Sequence, residues 1–137
     1  MNDASQTADA RAEQPMPQIP FGPYTISRLI LGGKPTNGGI HMPPLVNHQI
    51  RRYFTPERIL QLLTDCETEG INLWQTCPKT AWPSNLDIYG RHKEQGGKVY
   101  YMSIATEMPF GRGPAPDNFR IARIVEAGAI AIAHWGS

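Results

Sequence analysis

The chain has little of what marks several classes of protein. It contains only 2 cysteines, Cys66 and Cys77, which form no CxxC pair and no zinc-type cluster. No apolar run approaches the roughly 20 residues that cross a bilayer. The first 17 residues contain no basic segment followed by an apolar one, so they do not resemble an export signal. We therefore expect a soluble, cytoplasmic protein of a reducing compartment, without membrane association.

The charge balance is almost even, which argues against nucleic acid as a partner. The 13 Lys and Arg residues face 12 Asp and Glu residues, which gives a net charge of +1. Such a balance provides no electrostatic basis for binding nucleic acid. A hydrophobic content of 40% over 137 residues is typical of one globular domain. Because residues 1–17 are polar and lack periodicity, we expect a mobile tail there and the domain over 18–137.

The clearest helix signal begins at Thr55. A threonine is a favoured N-cap, Pro56 suits the first helical turn, and Glu57 complements the positive end of the helix dipole. The apolar positions that follow keep helical spacing, and Gly70 ends the segment. These positions are Ile59, Leu62, Leu63 and Cys66.

Apolar segments typical of strands alternate with helical patterns along the rest of the chain. A lead-in over 19–26 is compatible with a hairpin or with irregular structure, and 34–54 is expected to be a long loop. The pattern predicts strands at 28–31, 71–77, 98–106 and 129–135 and helices at 55–70, 84–95 and 117–128. The apolar face of the last helix comprises Phe119, Ile121, Ala122, Ile124 and Val125. This alternation predicts an α/β fold of parallel βα units.

Three short segments carry a resemblance to a known family. The segment ISRLILGG (26–33) resembles the opening strand of the aldo-keto reductases and related barrels. The segment EGINLW (69–74) is similar to their second strand, with Thr76 on the family's threonine, and IAHW (132–135) is similar to the end of their fourth. The resemblance implies half of a (β/α)8 TIM barrel with four strands and three helices. Because a complete barrel needs about 250 residues, we expect a homo-oligomer or a second chain that completes it.

The same resemblance assigns candidate catalytic residues. The family reduces carbonyl compounds with NADPH through an Asp, Tyr, Lys and His tetrad. His134 matches the histidine, Gln75 occupies the position of the aspartate, and Glu107 falls near that of the lysine. Where the family has its tyrosine no phenol is present, and Trp82 is the nearest aromatic residue. The implied function is an oxidoreductase acting on a small carbonyl or sugar-like substrate.

Two loop residues are candidates for substrate binding, and other functions stay open. His41 lies in the long first loop, and Trp82 lies in a Pro-flanked loop where its ring can stack on a ligand.

One alternative is a non-redox barrel enzyme, an isomerase, lyase or hydrolase, that uses Glu107 and His134 with or without a metal ion. No metal ligands are assigned. Another alternative is a non-catalytic half-barrel that acts by association.

Overall fold

The computed structural model describes residues 15–37, 41–78, 84–105 and 121–134, with the backbone alone at Asn37, Ala105 and His134. From the helix that begins at Pro56 onward, its helices and strands alternate as the sequence pattern predicts. The strands are β1 (Gln18–Phe21), β2 (Tyr24–Ser27), β3 (Leu31–Gly32), β4 (Leu73–Thr76), β5 (Tyr100–Ala105) and β6 (Ala131–His134). The helices are α1 (Lys34–Asn37), α2 (Pro44–Tyr53), α3 (Pro56–Thr68), α4 (Asn85–Glu94) and α5 (Ile121–Glu126).

The main sheet has four parallel strands in the order β3-β4-β5-β6, so the order in space repeats the order in the chain. The α/β prediction of parallel βα units is confirmed. Parallel crossovers are almost always right-handed, so a sequential order places the connecting helices on the same face of the sheet. The core agrees, because side chains of α3, α4 and α5 form one cluster with Trp74 of β4 and Tyr101 of β5.

Aromatic side chains fill the layer between the sheet and the helices. The rings of Trp74 and Tyr101 have centroids 5.7 Å apart, and Tyr89 of α4 stacks on Tyr101 at 5.1 Å. Trp74 and Tyr101 are completely buried. Such pairs add directional packing to the burial of apolar area. The central strands are therefore fixed against α4.

The hairpin of β1 and β2 lies at the amino end of the parallel sheet. The Ser27 amide donates a hydrogen bond to Asn72 Oδ1 at 2.7 Å, and the Asn72 amide donates to Ser27 Oγ at 3.0 Å. The Tyr24 ring meets the edge of the Tyr100 ring, with centroids 5.3 Å apart. Asn72 directly precedes β4 and Tyr100 opens β5, so the hairpin covers the amino ends of these two strands.

The helix signals in the sequence are confirmed for α3 and α4. Thr55 is the N-cap of α3, and its hydroxyl accepts a hydrogen bond from the Arg58 amide. Gly70 adopts a φ of +77°, the left-handed conformation that ends a helix. Ser84 and Asp87 form a capping box at the start of α4. Local capping chemistry thus sets where both helices begin.

The strand and the loop expected over 28–54 differ from the structure. The strand begins three residues later than predicted, at Leu31, and Leu29 is 55% exposed. The Ser27 hydroxyl donates to the Leu29 carbonyl, and this turn carries the chain from the hairpin to the sheet.

The expected long loop contains α1 and α2. Proline in the first turn of α2 fits a helix start, and none of its ten residues is buried.

The predicted apolar face of the last helix is wrong for most of its members. In α5 only Ile124 is buried, whereas Ile121 is 40% and Val125 is 55% exposed, and Ala122 is exposed as well. Ile124 packs in the core cluster, whereas that cluster does not cover the side chains of Ile121 and Val125. Phe119 lies outside the described residues.

Within the described ranges, no helix combines the length and apolar character that a membrane span requires.

Candidate functional site

Polar groups meet where β3, β4 and β5 end. The register places Gly32 beside Gln75, and it pairs Thr76 with Ser103 at the next level of the sheet. Thr76 and Ser103 are buried, and Gln75 is half-buried. In barrel and open parallel sheets, ligands bind outside the carboxyl ends of the strands. This edge, from 32–34 across 75–77 to Ser103, is hereafter the carboxyl edge.

A buried hydrogen-bond network fixes the end of β4. The side-chain amide of Asn85, the first residue of α4, donates to Thr76 Oγ1 at 3.0 Å and to the Cys77 carbonyl at 2.6 Å. The Tyr101 hydroxyl donates to the Thr76 carbonyl at 3.3 Å. Because buried polar groups of this kind are costly to leave unpaired, the network makes the carboxyl edge rigid.

The two buried phenols near this network remain protonated. Burial raises the pKa of Tyr101 well above its ordinary value of 10, although a hydrogen bond with Ser103 opposes the shift. Burial also raises the pKa of Tyr89 to about 12. A phenol that holds its proton so firmly is a hydrogen-bond donor. Tyr101 therefore supports the end of β4, and it is poorly suited to transfer a proton near neutral pH.

The Cys77 thiol lies just beyond the end of β4, and it interacts electrostatically with the Lys34 ammonium. Burial raises the pKa of the Cys77 thiol, and the positive charge of Lys34 acts in the opposite direction. Cys77 is half-buried, and both it and Cys66 are free thiols. The pKa of Cys66 is raised by burial and by the neighbouring Asp65. Of the two thiols, Cys77 alone has a cation beside it that favours the thiolate.

Lys34 also forms a pair with His41. The Lys34 Nζ and His41 Nε2 atoms are 3.2 Å apart, and both side chains are exposed. An ammonium group only donates, so Nε2 is the acceptor in this contact and Nδ1 is the N–H donor of the ring. His41 was a sequence candidate, whereas Lys34 was missed. The one signal that indicated Lys34 was its position directly after the Gly-Gly pair that ends β3.

Gly33 allows β3 and β4 to approach closely at this edge. A Cβ atom at Gly33 would lie 2.7 Å from Thr76 Cα and still closer to the Thr76 side chain. Real Cβ atoms do not occur at such distances, so any larger residue would displace one of the two strands. Glycine here brings the Lys34 backbone next to the end of β4.

The remaining sequence candidates are placed as follows. Gln75 lies in β4 at the carboxyl edge, whereas Trp82 and Glu107 lie outside the described residues. His134 is described by its backbone, which pairs with Ala105 of β5. Gln75 pairs with Met102 of β5, which in turn pairs with Ala131 of β6. Three residue steps and two strand spacings put Gln75 and His134 about 14 Å apart. The sheet therefore does not bring these two candidates into contact.

A cavity lies at the amino end of the sheet, opposite the carboxyl edge. It has a volume of about 310 Å³, and its lining includes Glu67 and His92. The His92 Nε2 atom is 3.5 Å from a Glu67 oxygen, and burial lowers the pKa of His92 despite this carboxylate. The Glu67 carboxylate also accepts from the Lys98 amide just before β5. These contacts tie α3 and α4 to the amino end, away from the carboxyl edge.

Comparisons with known proteins add no assignment. No family model, no curated protein and no solved structure matches this chain. Over the part of the chain that the structure describes, no group of three or more His, Cys, Asp or Glu side chains is arranged to hold a metal ion. The functional argument therefore depends on the sheet and on the side chains at its carboxyl edge.

Proposed function

We propose that this chain is half of a (β/α)8-type barrel related to the aldo-keto reductases. In this proposal its carboxyl edge binds a small carbonyl or sugar-like compound, which NADPH reduces. His134 is the proposed catalytic group and Gln75 contacts the substrate. A second copy of the chain completes the barrel.

The observation that carries the proposal is the sequential order β3-β4-β5-β6 with every pair parallel. A doubly wound sheet reverses its strand order at a switch point, because its helices cover both faces. A barrel keeps a sequential order and places its helices outside. The described strands follow the second pattern, and they occur in the order of the motifs that resemble the reductase family.

The hairpin adds independent support. Hydrogen bonds between Ser27 and Asn72 hold the hairpin over the amino ends of β4 and β5. The carboxyl edge carries the half-buried Gln75 and the exposed Lys34. This is the end at which barrel enzymes build their active sites.

NADPH binding and carbonyl reduction test this function. We expect NADPH to quench the fluorescence of the protein's 3 tryptophans, and small aldehydes to be reduced at its expense. Replacing His134→Gln should lower kcat by about 100-fold, since a positioned acid-base group contributes at least that factor. The rate is followed by NADPH absorbance, with unchanged circular dichroism as the check on folding.

The exposed His48 of α2 provides the matched control, and His48→Gln should keep the full rate. The proposal is wrong if NADPH at millimolar concentration neither quenches fluorescence nor supports reduction of any aldehyde. It is equally wrong about His134 if His134→Gln and His48→Gln have the same kcat.

A second candidate function, association without catalysis, is favoured by the edges of the sheet. Among the described strands, β3 and β6 each pair on one side only. Open edges of this kind are sites of association between chains. A stable dimer that binds no NADPH and reduces no aldehyde would support this second function over the first.

A further inference from the structure

The cation at the carboxyl edge has no carboxylate partner within the described ranges. The ion pairs between side chains of these ranges join Arg91 to Glu57 and Arg123 to Glu126. Lys34 instead contacts the ring of His41. Its charge is therefore not neutralised locally and acts on the Cys77 thiol.

The pair also keeps several hydrogen-bond donors for a ligand. An ammonium group has three N–H donors, and one of them is used by His41 Nε2. The other nitrogen of that ring, Nδ1, carries the proton and donates as well. Lys34 and His41 thus combine a positive charge with neighbouring N–H groups, the combination that carboxylate and phosphate oxygens accept.

We propose that Lys34 and His41, beside the Cys77 thiol, form a binding site for the carboxylate or phosphate group of a small molecule. The ligand's oxyanion contacts the Lys34 ammonium and the His41 ring. The rest of the ligand extends along the carboxyl edge toward Gln75. As a statement about the substrate the inference rests on the proposed function, because it names the anionic class of compound that this edge accepts.

Cys77 provides a reporter for this site. Its thiolate displaces iodide from iodoacetate or from iodoacetamide: a sulfur–carbon bond forms, the carbon–iodine bond breaks, and the thiol proton passes to the buffer. Iodoacetate is anionic and iodoacetamide is neutral, so the ratio of their rates measures the local positive potential. Cys66 is buried at 8% exposure in α3 and is the internal reference for a thiol without such a site.

We expect iodoacetate to be favoured at Cys77 about fivefold more than at free cysteine, which is the size of a nearby unit charge acting in partly exposed surroundings. Inorganic phosphate should slow the iodoacetate reaction more than the iodoacetamide reaction. Adding KCl should reduce the preference, since salt screens exposed charges. Peptide mapping by mass spectrometry separates the two cysteines.

Lys34→Gln should abolish both the preference and the phosphate effect, and His41→Asn should weaken the phosphate effect. The exposed Lys98, which precedes β5 at the amino end, provides the control, and Lys98→Gln should leave both unchanged. The proposal is overturned if Cys77 of the unaltered protein shows no preference beyond that of free cysteine, or if phosphate slows the two reagents equally. Alkylation needs no cofactor, so a failure of NADPH binding removes the proposed reductase function and leaves this test valid.

Discussion

Replacing Gly33 with alanine should destabilise the protein by about 3 kcal/mol, the upper range for overpacking a rigid interior. The added methyl group would lie 2.7 Å from Thr76 Cα, so backbone must move to relieve the contact. The movement would separate β3 from β4, and it would strain the hydrogen bond that Asn85 donates to Thr76. Urea denaturation followed by circular dichroism measures the loss.

Gly32 is the matched control for this change. A Cβ atom there meets nothing within 4 Å, and neither glycine has a positive φ. Gly32→Ala should therefore change the free energy of unfolding by less than about 0.5 kcal/mol. Equal stability of the two variants would contradict the close approach of β3 to β4 and with it the geometry of the carboxyl edge.

Replacing Asn72 with alanine should cost about 3 kcal/mol, because this side chain makes two of the hydrogen bonds that join the hairpin to the sheet. Its Oδ1 accepts from the buried Ser27 amide at 2.7 Å, and its Nδ2 donates to the Thr25 carbonyl at 3.0 Å. Without the side chain the Ser27 amide stays buried and unpaired, and that penalty adds to the lost bonds. Hydrogen exchange at Ser27 should rise along with the loss of stability.

Gln61 on the exposed side of α3 provides a control of similar chemistry. Its amide donates to Asp65 at 2.8 Å on the protein surface. Gln61→Ala should change the free energy of unfolding by less than about 0.5 kcal/mol. If Asn72→Ala is as mild as this control, the hairpin does not close the amino end in the way the hydrogen bonds indicate.

The sequence was most informative where structure depends on neighbours in the chain. The threonine cap and the apolar spacing predicted α3, and Leu86, Ile88 and Tyr89 marked the buried side of α4. The alternation of strands and helices predicted the parallel sheet. These features follow from local hydrogen bonds and periodicity, which the amino-acid order expresses directly.

Features that depend on distant contacts were missed. The start of β3 is set by the turn at Ser27, and α2 buries none of its residues although it contains Leu45, Val46 and Ile50. In α5, Val125 has the expected spacing, but no element among the described residues covers it. Periodicity identifies which residues share a face, whereas burial depends on what packs against that face.

The candidate site was predictable only in part, for the same reason. Gln75 was expected at the end of its strand, and the register places it there. The position of His41 in a long loop makes it a candidate from sequence. The contact of its ring with the Lys34 ammonium is not visible in the pattern of either residue's neighbours. The roles of His134, Glu107 and Trp82 stay predictions.

A half-barrel leaves the face of its sheet opposite the helices without a covering layer. Met102 and Ala131 share a register level with Gln75 on that face, and both are half-exposed. In a closed barrel such side chains fill the interior. A second copy that pairs with the outer edges of β3 and β6 would cover them.

The molar mass in solution, from light scattering coupled to size exclusion, tests this claim most directly. Two half-barrels that close on each other should give a single species of about twice the 15.2 kDa mass of one chain. Its mass should stay constant on dilution through the micromolar range. A well-behaved monomer at the mass of one chain would contradict the closed barrel, since its sheet would then be stable with both edges unpaired.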